Sequence, residues 1–170
     1  MARPKSFDEA TVLERARNIF WERGYEATSI KALERATGLS RSSIYEFFGS
    51  KRSLYDRTLR EYQQENLQAL ADHFTQSVSL RQGLVDLFKY AASATAPANC
   101  HAARGCYIVN CTAELAAVDA GAFAFATENR EKATTLFREI LMQAQQRGEL
   151  SKAADLNALA NYLFISYNGL

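Results

Sequence analysis

The sequence predicts an all-α fold in which a small N-terminal helical domain precedes a larger helical one. Apolar residues recur at three- and four-residue steps along most of the chain, which is the spacing of one helix face. Only two prolines interrupt this pattern, Pro4 and Pro97. Because proline is the residue that most disrupts a helix, their scarcity favours long helices.

Two helices are predicted before residue 40. The first covers residues 8–23 and ends at Gly24, and its inward stripe is expected to contain Ala10, Leu13, Ala16, Ile19 and Phe20. The second is only about two turns long. Thr28 or Ser29 is a good N-cap for it, and Gly38 is placed to end it in a left-handed turn.

A third short helix is predicted from Arg41 to Phe47 or Phe48, with Ser40 as its N-cap, and a fourth runs from near Ser50 past Leu70. The second and third helices are joined by a turn of about three residues, which is the helix-turn-helix arrangement. In that arrangement the later helix lies in the DNA major groove, about 12 Å wide.

The third helix has the side chains that such a position requires. Its first turn offers hydroxyls, a guanidinium and backbone N–H groups to bases and phosphates, from Ser40, Arg41, Ser42 and Ser43. Its apolar residues are expected to anchor it on the first helix: Ile44, Phe47 and Phe48. Tyr45 can turn its hydroxyl toward a phosphate, and Lys51 supplies a cation.

Composition indicates a globular protein without a membrane partner. Of the 170 residues, 48% are hydrophobic and 23% charged, which suits one substantial core or a small domain beside a larger one. No run approaches the roughly 18 apolar residues of a membrane span, and no signal-peptide core is present near the start. We therefore expect a cytoplasmic protein.

Positive charge is concentrated at the N-terminal end. Residues 1–60 contain 12 Lys and Arg against 8 Asp and Glu, a balance of +4, whereas the remainder contains 8 against 11, a balance of −3. Surface charge acts over roughly 8 Å at physiological salt, so only the first part suits an anionic partner.

Residues 8–55 resemble the N-terminal domain of the TetR family of bacterial transcriptional repressors. The stretch ARNIFWERGYEATSIKALERATGLSRSSIYEFFGSKRSLY carries an A..LF...G element whose members are Ala16, Ile19, Phe20 and Gly24. It also carries ATS at residues 27–29 and GLS at residues 38–40. A final Y..F..K..L run consists of Tyr45, Phe48, Lys51 and Leu54.

This resemblance implies a DNA-binding domain, residues 1–50, on a ligand-binding and dimerisation domain, residues 51–170. It implies a homodimer on a palindromic double-stranded operator and a small organic effector that releases it. With Ser40, the expected DNA contacts are Thr28, Ser29, Arg41, Ser42, Ser43, Tyr45 and Lys51. Two carboxylates depart from the family pattern, Glu34 and Glu46. Glu46 would lower affinity for phosphates unless it points away or pairs with Arg41 or Arg52.

The segment RGCYIVNCTAEL, Arg104 to Leu115, resembles the start of a family helix beside the ligand cavity. Its periodicity predicts a helix after Gly105 with Ile108, Thr112 and Leu115 on one side. An effector cavity needs apolar walls with a few polar groups. The candidates by type and position are Phe88, Tyr107, Asn110, Cys111, Glu114, Phe123 and Tyr162.

The three cysteines, Cys100, Cys106 and Cys111, lack the C-x-x-C spacing of a zinc or thioredoxin-type site. We expect reduced thiols, no metal and no cofactor. Cys106 and Cys111 are five residues apart, too far for an easy disulfide within one helix. Cys100 lies beside His101 and near Arg104, which could lower a thiol pKa, so Cys100 and Cys106 are the candidate redox residues beside the inert interpretation.

Two C-terminal segments bear on assembly. A helix over residues 127–147 has an apolar stripe that contains Ala133, Leu136, Phe137, Ile140, Leu141 and Ala144. A second helix is expected from Ser151, with Leu156, Leu159, Ala160, Leu163 and Tyr167 on its stripe. Two such helices from each subunit could form a four-helix bundle, and the resemblance favours that dimer and a last helix that continues beyond Leu170.

Three other functions remain open on sequence grounds. An enzyme with a Cys100–His101 nucleophile pair is disfavoured, because adjacent loop residues rarely aim at each other and no oriented acid accompanies them. A helical protein-interaction module would explain the stripes of the last two segments but not residues 40–51. A nucleoid-type protein would bind all duplexes alike, whereas a repressor prefers its operator by roughly 10³-fold or more.

Overall fold

In a computed structural model of the chain, the described residues, 7–93 and 105–169, form eight α-helices and no β-strand, which confirms the all-α prediction. The helices are α1, Glu9–Arg23; α2, Ile30–Thr37; α3, Arg41–Phe48; α4, Lys51–Gln76; α5, Leu80–Ser93; α6, Tyr107–Leu115; α7, Ala120–Gln146; and α8, Leu156–Asn168. The chain divides into two compact units, residues 1–62 and 63–170, and α4 begins in the first and ends in the second.

Side-chain caps set the starts of the first three helices. Asp8 accepts a hydrogen bond from the Thr11 N–H at the start of α1, and the Thr11 hydroxyl donates to the same carboxylate, which lowers the pKa of Asp8. Ser29, rather than Thr28, caps α2 by accepting from the Ala32 N–H at 3.2 Å. Ser40 caps α3, as its spacing predicts.

The core of the first unit reaches into α4. Ring centroids of Phe20 and Tyr55 are 4.8 Å apart, and Leu54, Tyr55 and Leu59 are buried, so this unit extends to Tyr62 instead of ending at residue 50. In α1, Leu13, Ala16 and Phe20 are buried as expected. Ala10 is exposed and Val12 is buried instead, because Ala10 lies roughly 100° around the helix from the centre of the buried face.

Gly38 makes the turn between α2 and α3. Its φ of 76° is left-handed, and its N–H donates to the Glu34 carbonyl at 2.9 Å. A Cβ at this position would meet nothing within 4 Å, so only backbone strain opposes a side chain. We expect Gly38→Ala to destabilise the protein by about 1–2 kcal/mol, with a smaller loss for Gly38→Asn because asparagine tolerates this conformation. Urea unfolding of the three proteins tests this, and equal stability of Gly38→Ala and the parent would contradict it.

An apolar cluster joins α4, α5, α7 and α8 in the second unit. Its buried members are Leu70, Phe74, Leu80, Leu87, Phe137, Ile140, Leu141, Ala144, Ala160 and Leu163. The α7 stripe and the α8 stripe predicted from sequence both contribute to it, with Leu136, Leu156, Leu159 and Tyr167 partly buried against it.

Two helix starts in this unit differ from the sequence prediction. α7 begins at Ala120 instead of residue 127, because Asp119 accepts from the Ala122 N–H at 2.6 Å and caps an alanine-rich first turn. α8 begins at Leu156, where Asp155 accepts from two backbone N–H groups at 3.0 Å each. Ser151 holds only a local turn before it.

Polar side chains in the second unit form hydrogen bonds between residues that are far apart in the sequence. The Gln63 side chain is buried, and its amide donates to the Asn129 Oδ1 at 3.1 Å while its carbonyl accepts from Lys132 at 3.1 Å. The Glu149 carboxylate accepts from the N–H of Leu80, the first residue of α5, at 2.5 Å. Bonds from Arg147 and Leu80 together lower the pKa of Glu149.

The predicted irregular stretch around Pro97 lies largely outside the described residues, as do Cys100, His101 and Arg104. Within the described ranges, no helix combines the length and apolar character that a membrane span requires.

Candidate nucleic-acid interface

The first turn of α3 is a compact group of hydroxyls. The Ser40 Oγ accepts from the Ser43 N–H at 3.2 Å and lies 2.8 Å from the Ser42 Oγ and 3.0 Å from the Ser43 Oγ. Ser40 and Ser42 are exposed and Ser43 is half-buried. Short side chains therefore cover the start of a helix whose backbone can approach a groove closely.

Arg41 and Tyr45 form a pair on the exposed side of α3. The Arg41 guanidinium carbon lies 5.6 Å from the centroid of the Tyr45 ring, and Tyr45 is 38% exposed. Ile44 and Phe48 are buried on the other side of the helix, as predicted for its anchor. Phe47 is half-buried, and its ring packs edge-on against the ring of Phe7, with 4.8 Å between the centroids. Phe7 lies just before α1, whereas the sequence predicts that Phe47 packs on α1 itself.

Lys51 lies at the first position of α4, where its ammonium is 4.3 Å from the centroid of the Tyr25 ring. The Arg52 guanidinium is 5.8 Å from the same ring, and Arg52 also pairs with Asp56 at 2.7 Å. Ser50 accepts from the Ser53 N–H at 2.9 Å and so caps this end of α4. Two cationic side chains thus lie near the Tyr25 ring at the start of α4.

Thr28, unlike the other predicted DNA contacts, is not accessible at the surface. It is fully buried, and its hydroxyl donates to the Gly24 carbonyl at 2.6 Å. Its neighbour Ser29 is exposed at the start of α2. The expectation of a Thr28 side chain that reaches DNA therefore does not match this structure, because the hydroxyl completes the end of α1 instead.

The backbone at the start of α3 also differs from expectation. The Arg41 N–H donates to the Glu34 Oε1 at 2.7 Å, and the Ser43 N–H donates to Ser40. These two N–H groups are thus used within the domain instead of being offered to phosphate. Glu46 is exposed on α3. The sequence signal for the Glu34 contact was an acidic residue seven positions before Arg41, across the turn.

Three cations surround an open groove of about 320 Å³ between α1 and α2. Arg23, Lys31 and Arg35 contribute the charges, and Ser29 lies at its edge. Arg23 has a weak ion pair with Glu22 at 3.7 Å. Part of the excess positive charge predicted for the N-terminal part thus lies on this groove, which Ser29 also lines.

The effector candidates in the second unit differ widely in burial. On α6, Tyr107 and Cys111 are buried, whereas Asn110 and Glu114 are exposed. The sequence places Tyr107, Asn110, Cys111 and Glu114 together, opposite Ile108, Thr112 and Leu115. In the structure Tyr107 and Cys111 instead share the buried face with Ile108 and Leu115, which corrects that division. Phe123 and Tyr162 are 62% and 67% exposed, and Phe88 packs partly buried against the apolar cluster.

A different polar group lies inside this unit. The Tyr167 hydroxyl donates to the Asn66 Oδ1 at 3.5 Å. Burial raises the pKa of Tyr167, with smaller contributions from Cys106 and Tyr90, so its phenol keeps its proton. Sequence reasoning included Tyr167 in the α8 stripe but missed Asn66, which follows three other polar residues in α4 and carries no local signal.

Among the described residues, neither Cys106, which is half-buried, nor Cys111, which is buried, forms a disulfide. Cys100 lies outside the described residues. Across the parts of the chain that the structure describes, no group of three or more His, Cys, Asp or Glu is arranged to hold a metal ion.

Comparison with known families gives two matches that together cover most of the chain. Residues 12–58 match the family described as bacterial regulatory proteins, tetR family. Residues 81–170 match the tetracyclin repressor-like C-terminal domain. The first match includes α2, α3 and the start of α4, where the exposed polar group was found.

Individual relatives agree with these matches. YezE of Bacillus subtilis, an uncharacterized HTH-type transcriptional regulator, is 31% identical over 96% of this chain and 84% of its own. ComR of Escherichia coli, an HTH-type transcriptional repressor, is 32% identical over 99% of this chain and 80% of its own. A cysteine mutant of the regulator CifR, complexed with 26-bp operator DNA, is 32% identical with a TM-score of 0.79, and the match covers 99% and 87% of the two chains.

Proposed function

The chain belongs to the TetR family of bacterial transcriptional regulators, which bind DNA and are not enzymes, and on that premise we propose a specific role. The protein acts as a homodimeric repressor on a palindromic operator, and a small organic effector releases it. A cytoplasmic location follows from that role.

The observation that carries this proposal is the exposed start of α3. Ser40, Arg41 and Ser42 are exposed at the start of α3, while Ile44 and Phe48 are buried on the opposite face. Ser29 is exposed at the start of α2, and Lys51 is half-buried at the start of α4. Side chains of this kind read base edges and phosphates together. CifR, a relative that matches nearly the whole chain, has been solved with operator DNA.

Dimerisation is proposed through α7 and α8. On α8, Ala160 and Leu163 are buried, whereas Tyr162 and Ile165 remain 67% and 68% exposed. An exposed tyrosine and isoleucine three residues apart on a helix form an apolar stripe that a second copy can cover. Two subunits would then bring two α3 helices to operator half-sites one DNA turn apart, roughly 34–36 Å, or a multiple of it.

The effector is proposed to bind in the second unit. Tyr167 and Asn66 supply a polar pair next to apolar side chains of the cluster, which is the composition of a site for a small organic molecule. An effector that favours a dimer with misplaced α3 helices would lower operator affinity five- to 150-fold for a coupling of about 1–3 kcal/mol.

An alternative control mechanism uses cysteine chemistry. Cys106 is a free, half-buried thiol at the N-cap of α6, and it lies near enough to Tyr167 to influence its pKa. In this alternative, oxidation or electrophile attack at Cys106 or Cys100 releases the protein from DNA, in place of a reversibly bound effector. Cys106→Ser and Cys100→Ser proteins that are released from DNA normally by oxidants and electrophiles would exclude this alternative.

Lys51 provides a separate test of phosphate binding. We expect Lys51→Ala to weaken binding to all duplexes and to reduce the slope of log affinity against log salt by about 1, because one phosphate contact is lost. Operator preference should change little, since a phosphate contact carries no sequence information.

Fluorescence anisotropy at several salt concentrations measures this slope. Lys89→Ala, which removes an exposed lysine from α5 in the second unit, is the matched control and should leave the slope unchanged. An unchanged slope for Lys51→Ala would remove Lys51 from the proposed interface.

DNase footprinting upstream of the protein's own gene tests the proposed function as a whole. We expect a protected region with approximate two-fold symmetry, which disappears when the releasing effector is added. Protection without symmetry would contradict the dimer, and uniform protection of every fragment would instead support a nucleoid-type protein. A protein silent on all DNA at low salt would favour the protein-interaction module.

A further inference from the structure

Glu34 contacts the turn of the helix-turn-helix at two places. Its backbone carbonyl accepts from the Gly38 N–H at 2.9 Å, and its carboxylate accepts from the Arg41 N–H at 2.7 Å. One residue of α2 is therefore bonded both to the first residue of the turn and to the first residue of α3. The half-buried position of Glu34 limits the freedom of its side chain.

The carboxylate bond should be stronger than an ordinary cap. A hydrogen bond to an ionised acceptor is roughly twice as strong as a neutral one, and the N-terminal end of a helix favours a negative group. The Ser40 hydroxyl already serves the Ser43 N–H, so the two caps act on different donors of the first turn. Together they fix the backbone from which Arg41 and Ser42 project.

An acidic residue here also has an electrostatic effect. A negative charge close to DNA phosphates lowers affinity for every duplex, whatever its sequence. The charge of Glu34 therefore does not favour DNA affinity. What its carboxylate provides is the hydrogen bond that fixes the start of α3. Base contacts depend on the exact aim of α3, whereas long cationic side chains reach phosphates over a wider range of positions.

We propose that Glu34 is a positioning residue that fixes α3 relative to α2 and thereby sets the preference of the protein for its operator over other DNA. This inference rests on the proposed function and goes beyond it, because it assigns selectivity to a side chain that need not touch a base. Glu34→Gln keeps an acceptor for the Arg41 N–H and removes the charge. Glu34→Ala removes both.

The test is the ratio of affinities for an operator selected from random duplexes and for its scrambled version. We expect the ratio to fall about tenfold in Glu34→Ala, within the range that one base contact supplies, and to stay within about threefold of the parent in Glu34→Gln. Both variants should bind scrambled DNA more tightly than the parent. Hydrogen exchange at the Arg41 amide should quicken in Glu34→Ala and stay slow in Glu34→Gln.

Several results would overturn the inference. An unchanged ratio in Glu34→Ala, with a parent that prefers its operator, leaves only the electrostatic effect and contradicts positioning by Glu34 alone. If the ratio of operator affinity to scrambled-duplex affinity falls as far in Glu34→Gln as in Glu34→Ala, the hydrogen bond to the Arg41 N–H does not set the selectivity. A parent protein without operator preference would contradict the proposed function and this inference with it.

Discussion

Replacement of Arg41 by alanine should lower operator affinity by about 1–3 kcal/mol, roughly five- to 150-fold, the range for one specific arginine contact. Arg41 is exposed in the first turn of α3 and its guanidinium lies 5.6 Å from the Tyr45 ring, so the substitution also removes a cation beside that ring. Because Arg41 is exposed, the free energy of unfolding should change by less than about 0.5 kcal/mol.

Anisotropy with the selected operator measures the loss, and thermal unfolding checks the fold. Arg81→Ala is the matched control, because Arg81 is an exposed arginine on α5 in the second unit. Its operator affinity should equal that of the parent. An Arg41→Ala protein that binds within twofold of the parent would exclude this guanidinium from the interface.

The double substitution Tyr162→Asp with Ile165→Asp should convert the protein into a folded monomer. Both side chains are more than half exposed on α8, while the α8 residues that pack in the cluster, Ala160 and Leu163, are untouched. Two carboxylates placed opposite their own copies across a two-fold axis would oppose association. A monomer holds one half-site at a time, so operator affinity should fall by about 100-fold or more.

Light scattering after size exclusion gives the mass, and anisotropy gives the affinity. Val78→Asp is the control, because Val78 is 95% exposed in the connection between α4 and α5. It adds a carboxylate at an exposed apolar position away from α8 and should leave the dimer intact. A dimer that survives the double substitution would place the interface elsewhere on the second unit.

The N-terminal unit was predictable from sequence because its signals are local. Ser29 and Ser40 as caps and Gly24 and Gly38 as helix ends each act within a few residues, so their spacing is sufficient. The burial of Thr28 and the bond from Glu34 to Arg41 were not predictable in this way. Both depend on how one element meets the next, which spacing does not record.

The second unit was less predictable for a related reason. On α6, four buried residues occupy a stripe about 100° wide, Tyr107, Ile108, Cys111 and Leu115, and a short helix leaves the centre of such a stripe ambiguous. At the start of α7, Gly121 disfavours a helix, so the sequence did not indicate that Asp119 caps one. The pairing of Tyr167 with Asn66 joins residues 101 positions apart and has no local signal.

The central claim is that α3 of this protein reads an operator, and one measurement tests it most directly. Anisotropy of the purified protein would be recorded at two salt concentrations, on a duplex selected from random sequences and on its scrambled version. We expect the selected duplex to bind roughly 10³-fold more tightly or better, with affinity for both duplexes falling as salt rises. Equal binding of the two duplexes at both salt concentrations would contradict the claim.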